Sequence, residues 1–321
     1  MHEQIMIEPA IPLETIGRIY KMVSEIPYFL NSRINEIEIL PGGITNSNFK
    51  VTIDNVTYAL RLAGVGTIEY INRPAEKHNA QVMADMGINA PIIYYDETTG
   101  NQVCKYIDDS ITLHGEEFKE ENYLRMAAQV LRNCHDGEQK FISDFNPLKE
   151  IEAYIKLLAE RNYDFYEGAE TMVQKVGEIR ELFNMVPPPY RPCHNDPLPV
   201  NWLDDKKNFY LIDWEYAGMN DPMFDLAALA IEAEFTEEQE RYFLKQYFGD
   251  VATEKQYGSI IINKFLCDVL WAYWSILQIA MGKPKEDYWD YGLNRFNRAY
   301  ELIHNGSLDH SIEVNRIKSV S

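Results

Sequence analysis

The strands of this chain are crowded into its first hundred residues, and long amphipathic helices fill almost everything after them. Residues 12–30 repeat apolar side chains at helical spacing. The runs "INEIEIL", "NSNFKVTI" and "VTYALRL" then alternate as short strands, joined by "PGGIT" and "DN". A helix follows from about 69 to 86, and "APIIYYD" and "QVCKYI" flank the turn "ETTGN" as two further strands. Beyond Asp108 the period becomes helical, over about 117–134, 148–184 with breaks, 221–248, 253–281 and 286–304. Only short strands across 190–213 interrupt this series. The pattern predicts an α+β chain: a small, mainly antiparallel lobe at 1–107 holding one helix, and a larger helical lobe at 108–321. A cleft between two such lobes is a natural ligand site. The polar tail after Asn305 is expected to fray.

Charge and cysteine usage narrow the partners. The chain has 321 residues and a formal net charge of −20. Such an acidic balance argues against a nucleic-acid partner and suits a cationic ligand, although surplus acid also serves solubility. Cys104, Cys134, Cys193 and Cys267 are scattered and form no metal-like pair. With no signal-peptide pattern at the start, they indicate a reducing, cytoplasmic setting. The apolar run Phe265–Met281 is interrupted by Asp268, Ser275 and Gln278, which points to a buried helix rather than membrane insertion.

The chemistry concentrates in "HNDPLPVNWLDDKKNFYLIDWEY". Asp196 and Asn201 stand five apart, the spacing of a kinase catalytic loop, and Asp213 follows twelve residues later at the end of a hydrophobic strand. Phosphoryl transfer needs a carboxylate to receive the proton of the attacking hydroxyl, and hard oxygen ligands to hold Mg2+ against the phosphates. An Asp, an Asn and a second Asp supply those groups. The bland alternative is that the first two cap loops and Asp213 merely ends a strand.

The strand-rich lobe offers matching nucleotide parts. "GGITN" contains Gly43, Thr45 and Asn46 in a glycine turn whose N–H groups can approach phosphates, though such turns also serve as plain hairpins. Arg61 ends the next strand, and Glu76, fifteen residues on, can pair with it from the helix. The run Val103–Ile107, with Lys105 and Tyr106, offers backbone groups to an adenine where the lobes join. Near the other end, Trp271 and Trp274 are three apart on one helix, as are Tyr288 and Tyr291 on the next. Aromatic faces bind quaternary ammonium by cation–π attraction, and Glu232 can add a carboxylate. Aromatics at this spacing are also common core residues.

At these residues the sequence resembles the choline/ethanolamine kinases, within the aminoglycoside-phosphotransferase and protein-kinase-like group, and is most similar to the bacterial Lic-type choline kinases. The resemblance is carried by "GGITNSNFKV", "LRLAG", "INRPAE", "HNDPLPVNWL", "LIDWEYAGMNDPMFDLA", "LWAYWSILQ" and "DYWDYGLNRF", spanning about residues 40–300. It implies a bilobal protein-kinase-like fold and transfer of the ATP γ-phosphate to the hydroxyl of choline. It further implies that Asp196 is the catalytic base, that Asn201 and Asp213 hold Mg2+ with help from Glu215, and that Arg61 binds phosphate, oriented by Glu76. Trp271, Trp274, Tyr288, Tyr291 and Glu232 fall on choline-pocket positions, and Asp225 on an acid that braces the catalytic loop. Two stretches depart from the eukaryotic pattern: "PLPV" between Asp196 and Asn201, and "AEFTEE" after Glu232, where Phe235 is the nearby aromatic. Choline, ethanolamine and larger cationic alcohols, aminoglycosides included, therefore stay open as substrates.

Overall fold

A computed structural model describes residues 5–41, 46–64 and 71–316. The chain divides into two compact units. One runs to Leu113 and takes in Phe141–Ser143 and Val200–Ala217; the other comprises His114–Lys140, Asp144–Pro199 and the chain from Gly218 onward.

The first unit is built on a six-stranded sheet. Its strands are β1 (Met6–Ile7), β2 (Ile34–Leu40), β3 (Ser47–Ile53), β4 (Val56–Leu62), β5 (Ile92–Tyr95) and β6 (Gln102–Lys105), in the order β1-β2-β3-β4-β6-β5. All neighbours are antiparallel except β1, which runs parallel to β2. Alternation places Phe49, Val51 and Ile53 of β3 and Tyr58, Leu60 and Leu62 of β4 inward. Helix α1 (Leu13–Glu25) lays Ile19, Met22 and Val23 into the same core. Helix α2 (Arg73–Asp85) starts at Asn72, whose side chain accepts from the Ala75 N–H. A second, three-stranded sheet joins β7 (Ile111–Thr112), β9 (Trp202–Asp204) and β10 (Phe209–Leu211). The Leu211 N–H donates to Ile88 O at 2.9 Å, tying this ribbon to the loop after α2.

The second unit is helical: α3 (Glu121–His135), α4 (Pro147–Glu160), α5 (Ala169–Met185), α6 (Pro222–Glu232), α7 (Glu237–Phe248), α8 (Glu254–Ala280), α9 (Lys285–His304) and α10 (Ser307–Arg316). One two-stranded ribbon, β8 (Arg191–Cys193) with β11 (Gly218–Asn220), accompanies them. The single helix expected over 221–248 is two. Thr236 begins α7 with a reciprocal capping box to Gln239, which stops α6 from continuing. The tail is corrected more sharply, because 307–316 is helix α10, with Leu308, Ser311 and Ile312 buried on one face. Helix α8 is the axis, packing against α4, α6, α9 and α10. It is long and apolar enough to cross a membrane, yet 89% of its most apolar window is buried inside the structure. Gly292 lets α9 approach it, since a Cβ there would collide with Ser275 Oγ and lie 2.5 Å from Tyr166 Oη.

Asp221 caps α6 while almost fully buried, accepting from the Met223 N–H and from Asn263 Nδ2, each at 3.0 Å. Burial pushes its carboxyl from 3.8 up to about 6, against the pull of those two donors. The folded protein therefore holds this proton at pH values where the unfolded chain has lost it, so the contribution of Asp221 to stability falls between about pH 4 and 6 and then levels. Asp221→Asn keeps a capping oxygen. It is expected to flatten that slope, with a gain at pH 7 kept below about 2–3 kcal/mol because the new amide faces the Asn263 donor, as read by denaturant melts across this range.

Candidate functional site

In the first unit, polar side chains converge beyond β4 and β10. Arg61, near the end of β4, is 5% exposed and donates from Nη2 to Glu76 Oε1 at 2.5 Å and from Nη1 to Asp213 Oδ1 at 3.3 Å. Glu76, on α2, also receives Arg73 Nη1 at 2.5 Å and the Tyr95 hydroxyl. Arg73 Nη1 lies 3.5 Å from Glu215 Oε2, and Asn46 Nδ2 donates to that same oxygen at 3.2 Å. Asn46 Oδ1 in turn accepts from the Gly64 N–H.

Asp213 is presented by an uncommon backbone. It follows β10 in the left-handed region at φ +68, and the next residue, Trp214, is buried with its indole N–H on Leu211 O. Aspartate tolerates this region better than most residues, and the turn carries a modest conformational cost there. Asn201 sits at the end of a 3-10 turn, its carbonyl accepting the Ile212 N–H at 2.9 Å.

The electrostatics of this cluster favour a cation. Burial opposes the Arg61 charge, but Glu76, Asp213 and Glu215 outweigh it and hold the guanidinium above its ordinary value. Burial likewise opposes ionised Glu76, and Arg61 and Arg73 overcome it, leaving that carboxyl below its ordinary value. Asp213 and Glu215 go the other way. Burial raises Asp213 despite Arg61, and burial together with Asp213 pushes Glu215 up to about 7. With all three carboxylates ionised, Glu76, Asp213 and Glu215 outnumber Arg61 and Arg73 and leave the cluster one positive charge short of balance. Hard oxygens from Asp213, Glu215 and Asn201 suit a divalent ion such as Mg2+, and these residues fit it.

Other expected nucleotide residues are less telling. Gly43 and Thr45 lie outside the described residues. Lys105 and Tyr106 close β6, where their N–H groups already donate to Pro91 O and Thr57 O. Neither N–H is left for an adenine, so any contact at these two residues would use their carbonyls.

In the second unit, Asp196 lies in the loop after β8. Asp225, fully buried on α6, accepts the His194 N–H at 2.7 Å and the Asn195 N–H at 2.6 Å. His135 bonds Asp225 Oδ2 through Nε2 at 3.0 Å and the Tyr247 hydroxyl through Nδ1 at 2.8 Å. Asn220 Nδ2 holds Asn195 Oδ1 at 2.8 Å, and Asn195 itself takes φ +69. The loop is thus anchored immediately before Asp196, the bracing role expected of Asp225. His135, Cys193 and Asp225 also bring potential metal-binding atoms within 4.8 Å of one another. Both His135 nitrogens and both Asp225 oxygens are already hydrogen bonded, so this cluster is a brace. Sequence reasoning missed His135 and Tyr247, which sit 90 and 22 residues from Asp225 with no motif linking them.

The four expected aromatics do meet. Trp274 is their hub, with ring centroids 5.9 Å from Trp271, 5.7 Å from Tyr288 and 6.3 Å from Tyr291, all edge to face. Asp196 belongs to the same electrostatic neighbourhood: burial raises the Tyr291 hydroxyl first, and the nearby Glu232 and Asp196 charges raise it further. The rings are tightly packed, Trp271 and Trp274 each being 5% exposed. Even so, the Trp274 indole N–H is buried without a hydrogen-bond partner. Glu232 does not face the rings alone but is ion-paired to Arg295. Phe235 packs on Phe118 and Phe243, away from this group.

Comparison with known proteins bears on the family and the fold. Residues 37–300 match the family model of choline/ethanolamine kinases. The chain is 30% identical to protein LicA of Haemophilus influenzae over 268 residues, covering 81% of this chain and 98% of that one. The crystal structure of choline kinase LicA from Streptococcus pneumoniae superposes with a TM-score of 0.76 at 30% identity, covering 88% of this chain and 98% of that one. A structure of LicA in complex with AMP gives 0.74 at 29% identity, covering 89% and 95%. The protein-kinase-like fold extends to the GDP complex of an aminoglycoside 2'-phosphotransferase, at a TM-score of 0.62 and 13% identity. With its fold and the extent of these matches together, this chain belongs to the choline/ethanolamine kinase family, phosphotransferases that act on an alcohol.

Proposed function

We propose that this protein is an ATP- and Mg2+-dependent choline kinase. The observation that carries the reading is the ring cluster of Trp271, Trp274, Tyr288 and Tyr291, with the Asp196 carboxylate in its electrostatic neighbourhood. A trimethylammonium group has no N–H to satisfy, and aromatic faces stabilise it by roughly 0.5–2 kcal/mol per ring. An adenine nucleotide as donor is supported by the AMP complex of the LicA relative.

In this reading Asp196 accepts the proton of the choline hydroxyl as its oxygen bonds to the γ-phosphorus. The bond from that phosphorus to the β-bridging oxygen breaks, and ADP leaves. Asn201, Asp213 and Glu215 would hold Mg2+, which supplies neutralisation of phosphate charge when bound. Arg61 contributes a fixed positive charge, itself held in place by Glu76.

A coupled ADP-release assay with choline and ethanolamine tests this. Choline is expected to exceed ethanolamine at least about tenfold in kcat/KM, the effect of roughly 1.4 kcal/mol. Equal or better use of ethanolamine would sink the reading. Trp271→Ala and Trp274→Ala should each raise the choline KM about 5- to 30-fold, for a lost desolvated ring worth on the order of 1–2 kcal/mol. Unfolded variants, with normal KM in the surviving fraction, would show these indoles to be core.

A further inference from the structure

We infer that Arg295 sets the selectivity of the aromatic site, by engaging Glu232 so that a quaternary ammonium is accepted and a primary one is not. The inference rests on the choline reading above and goes beyond it by assigning the choice to one residue of α9.

Arg295 is 2% exposed and makes three contacts at once. Its Nη2 pairs with Glu232 Oε1, its Nη1 lies 3.4 Å from Asp268 Oδ1, and its Cζ sits 4.4 Å from the Tyr291 ring centroid. Asp268 is held independently by Arg298, whose Nε reaches Oδ2 at 3.1 Å. Two acids and two guanidiniums therefore cancel beside the rings.

This protein-supplied cation has two chemical consequences. The Glu232 carboxylate is not a bare counter-ion for a substrate, because its Oε1 is engaged by the guanidinium. A primary ammonium needs acceptors for three N–H groups and competes with Arg295 for this carboxylate, whereas a trimethylammonium needs none and is satisfied by ring faces. The cost of keeping Arg295 points the same way. Its Nε is buried without a hydrogen-bond partner. An unsatisfied buried donor destabilises, and buried ion pairs are commonly replaced by apolar residues without loss.

The test measures kcat and KM separately for choline and ethanolamine, in wild type, R295Q and R295K, with folding checked by circular dichroism and thermal melting. In R295Q, Glu232 is freed, and the ethanolamine-to-choline ratio of kcat/KM is expected to rise at least about tenfold, mainly through a lower ethanolamine KM. In R295K the compact ammonium reaches one carboxylate at a time, so a smaller rise in the same direction is expected. R295K carries the test should R295Q not accumulate as folded protein. A folded variant whose ratio stays within about twofold of wild type, both substrates weakening together, overturns the inference while leaving the choline reading intact. A wild type with no preference for choline instead removes the choline reading, and the selectivity assigned to Arg295 falls with it.

Discussion

Asp196→Asn is expected to lower kcat by roughly 10²–10⁴ while leaving the choline KM within a few-fold of wild type. The loop that carries the residue is held by groups the substitution does not touch. The Asp225 carboxylate takes the N–H groups of His194 and Asn195, and His135 steadies Asp225 from behind. An amide of the same shape should therefore occupy the same place and lack only the ability to receive a proton. Single-turnover and steady-state rates with ATP and choline provide the measurement. A kcat within tenfold of wild type would mean that the proton goes elsewhere and that Asp196 is not the base.

The second large effect is on stability. Glu76→Gln is expected to cost about 3–5 kcal/mol of unfolding free energy, the usual loss when one partner of a buried ionic network is removed. Glu76 is 2% exposed and is the shared anion of Arg61 and Arg73, with the Tyr95 hydroxyl as a third donor. Glutamine keeps one acceptor oxygen, but its amide nitrogen turns a donor toward a guanidinium that also only donates. Arg61 would then keep Asp213 at 3.3 Å and the Gly100 carbonyl at 2.9 Å but lose its closest anion, so residual activity should fall as well. Denaturant midpoints for the variant and wild type decide the matter, and a loss below about 1 kcal/mol would show that Asp213 and Glu215 alone balance the two arginines.

Most of the fold was legible because the hydrophobic period changes so cleanly near Asp108. What escaped was non-local. The pairing of β7 with β9 joins residues about ninety positions apart, and nothing in "SITLHG" announces a partner strand. Helix α10 was hidden by polar composition, since only Leu308, Ser311, Ile312 and Asn315 mark its buried face. The site shows the same division. The spacing of Asp196, Asn201 and Asp213 could be read directly, and Arg61 with Glu76 follows from strand and helix order. Arg295 could not be, because either arginine of "GLNRFNRAY" looks like any solvated helix position until α6 brings Glu232 alongside one of them. Lys105 and Tyr106 illustrate the converse limit, as a strand end can be located from sequence while the use of its N–H groups cannot.

Gly292 bears on all of this from an unexpected direction. With no side chain of its own, it lets α9 settle against Tyr166 and against Ser275, the residue next to Trp274. A methyl added there would have to displace the Ser275 and Tyr166 hydroxyls or move α9, in a seam directly beside the rings. If the rings bind an ammonium group as proposed, the fit of that group becomes sensitive to a residue placed behind them. Enlarging the box for bulkier ammonium groups therefore has a natural lever in the seam behind the rings.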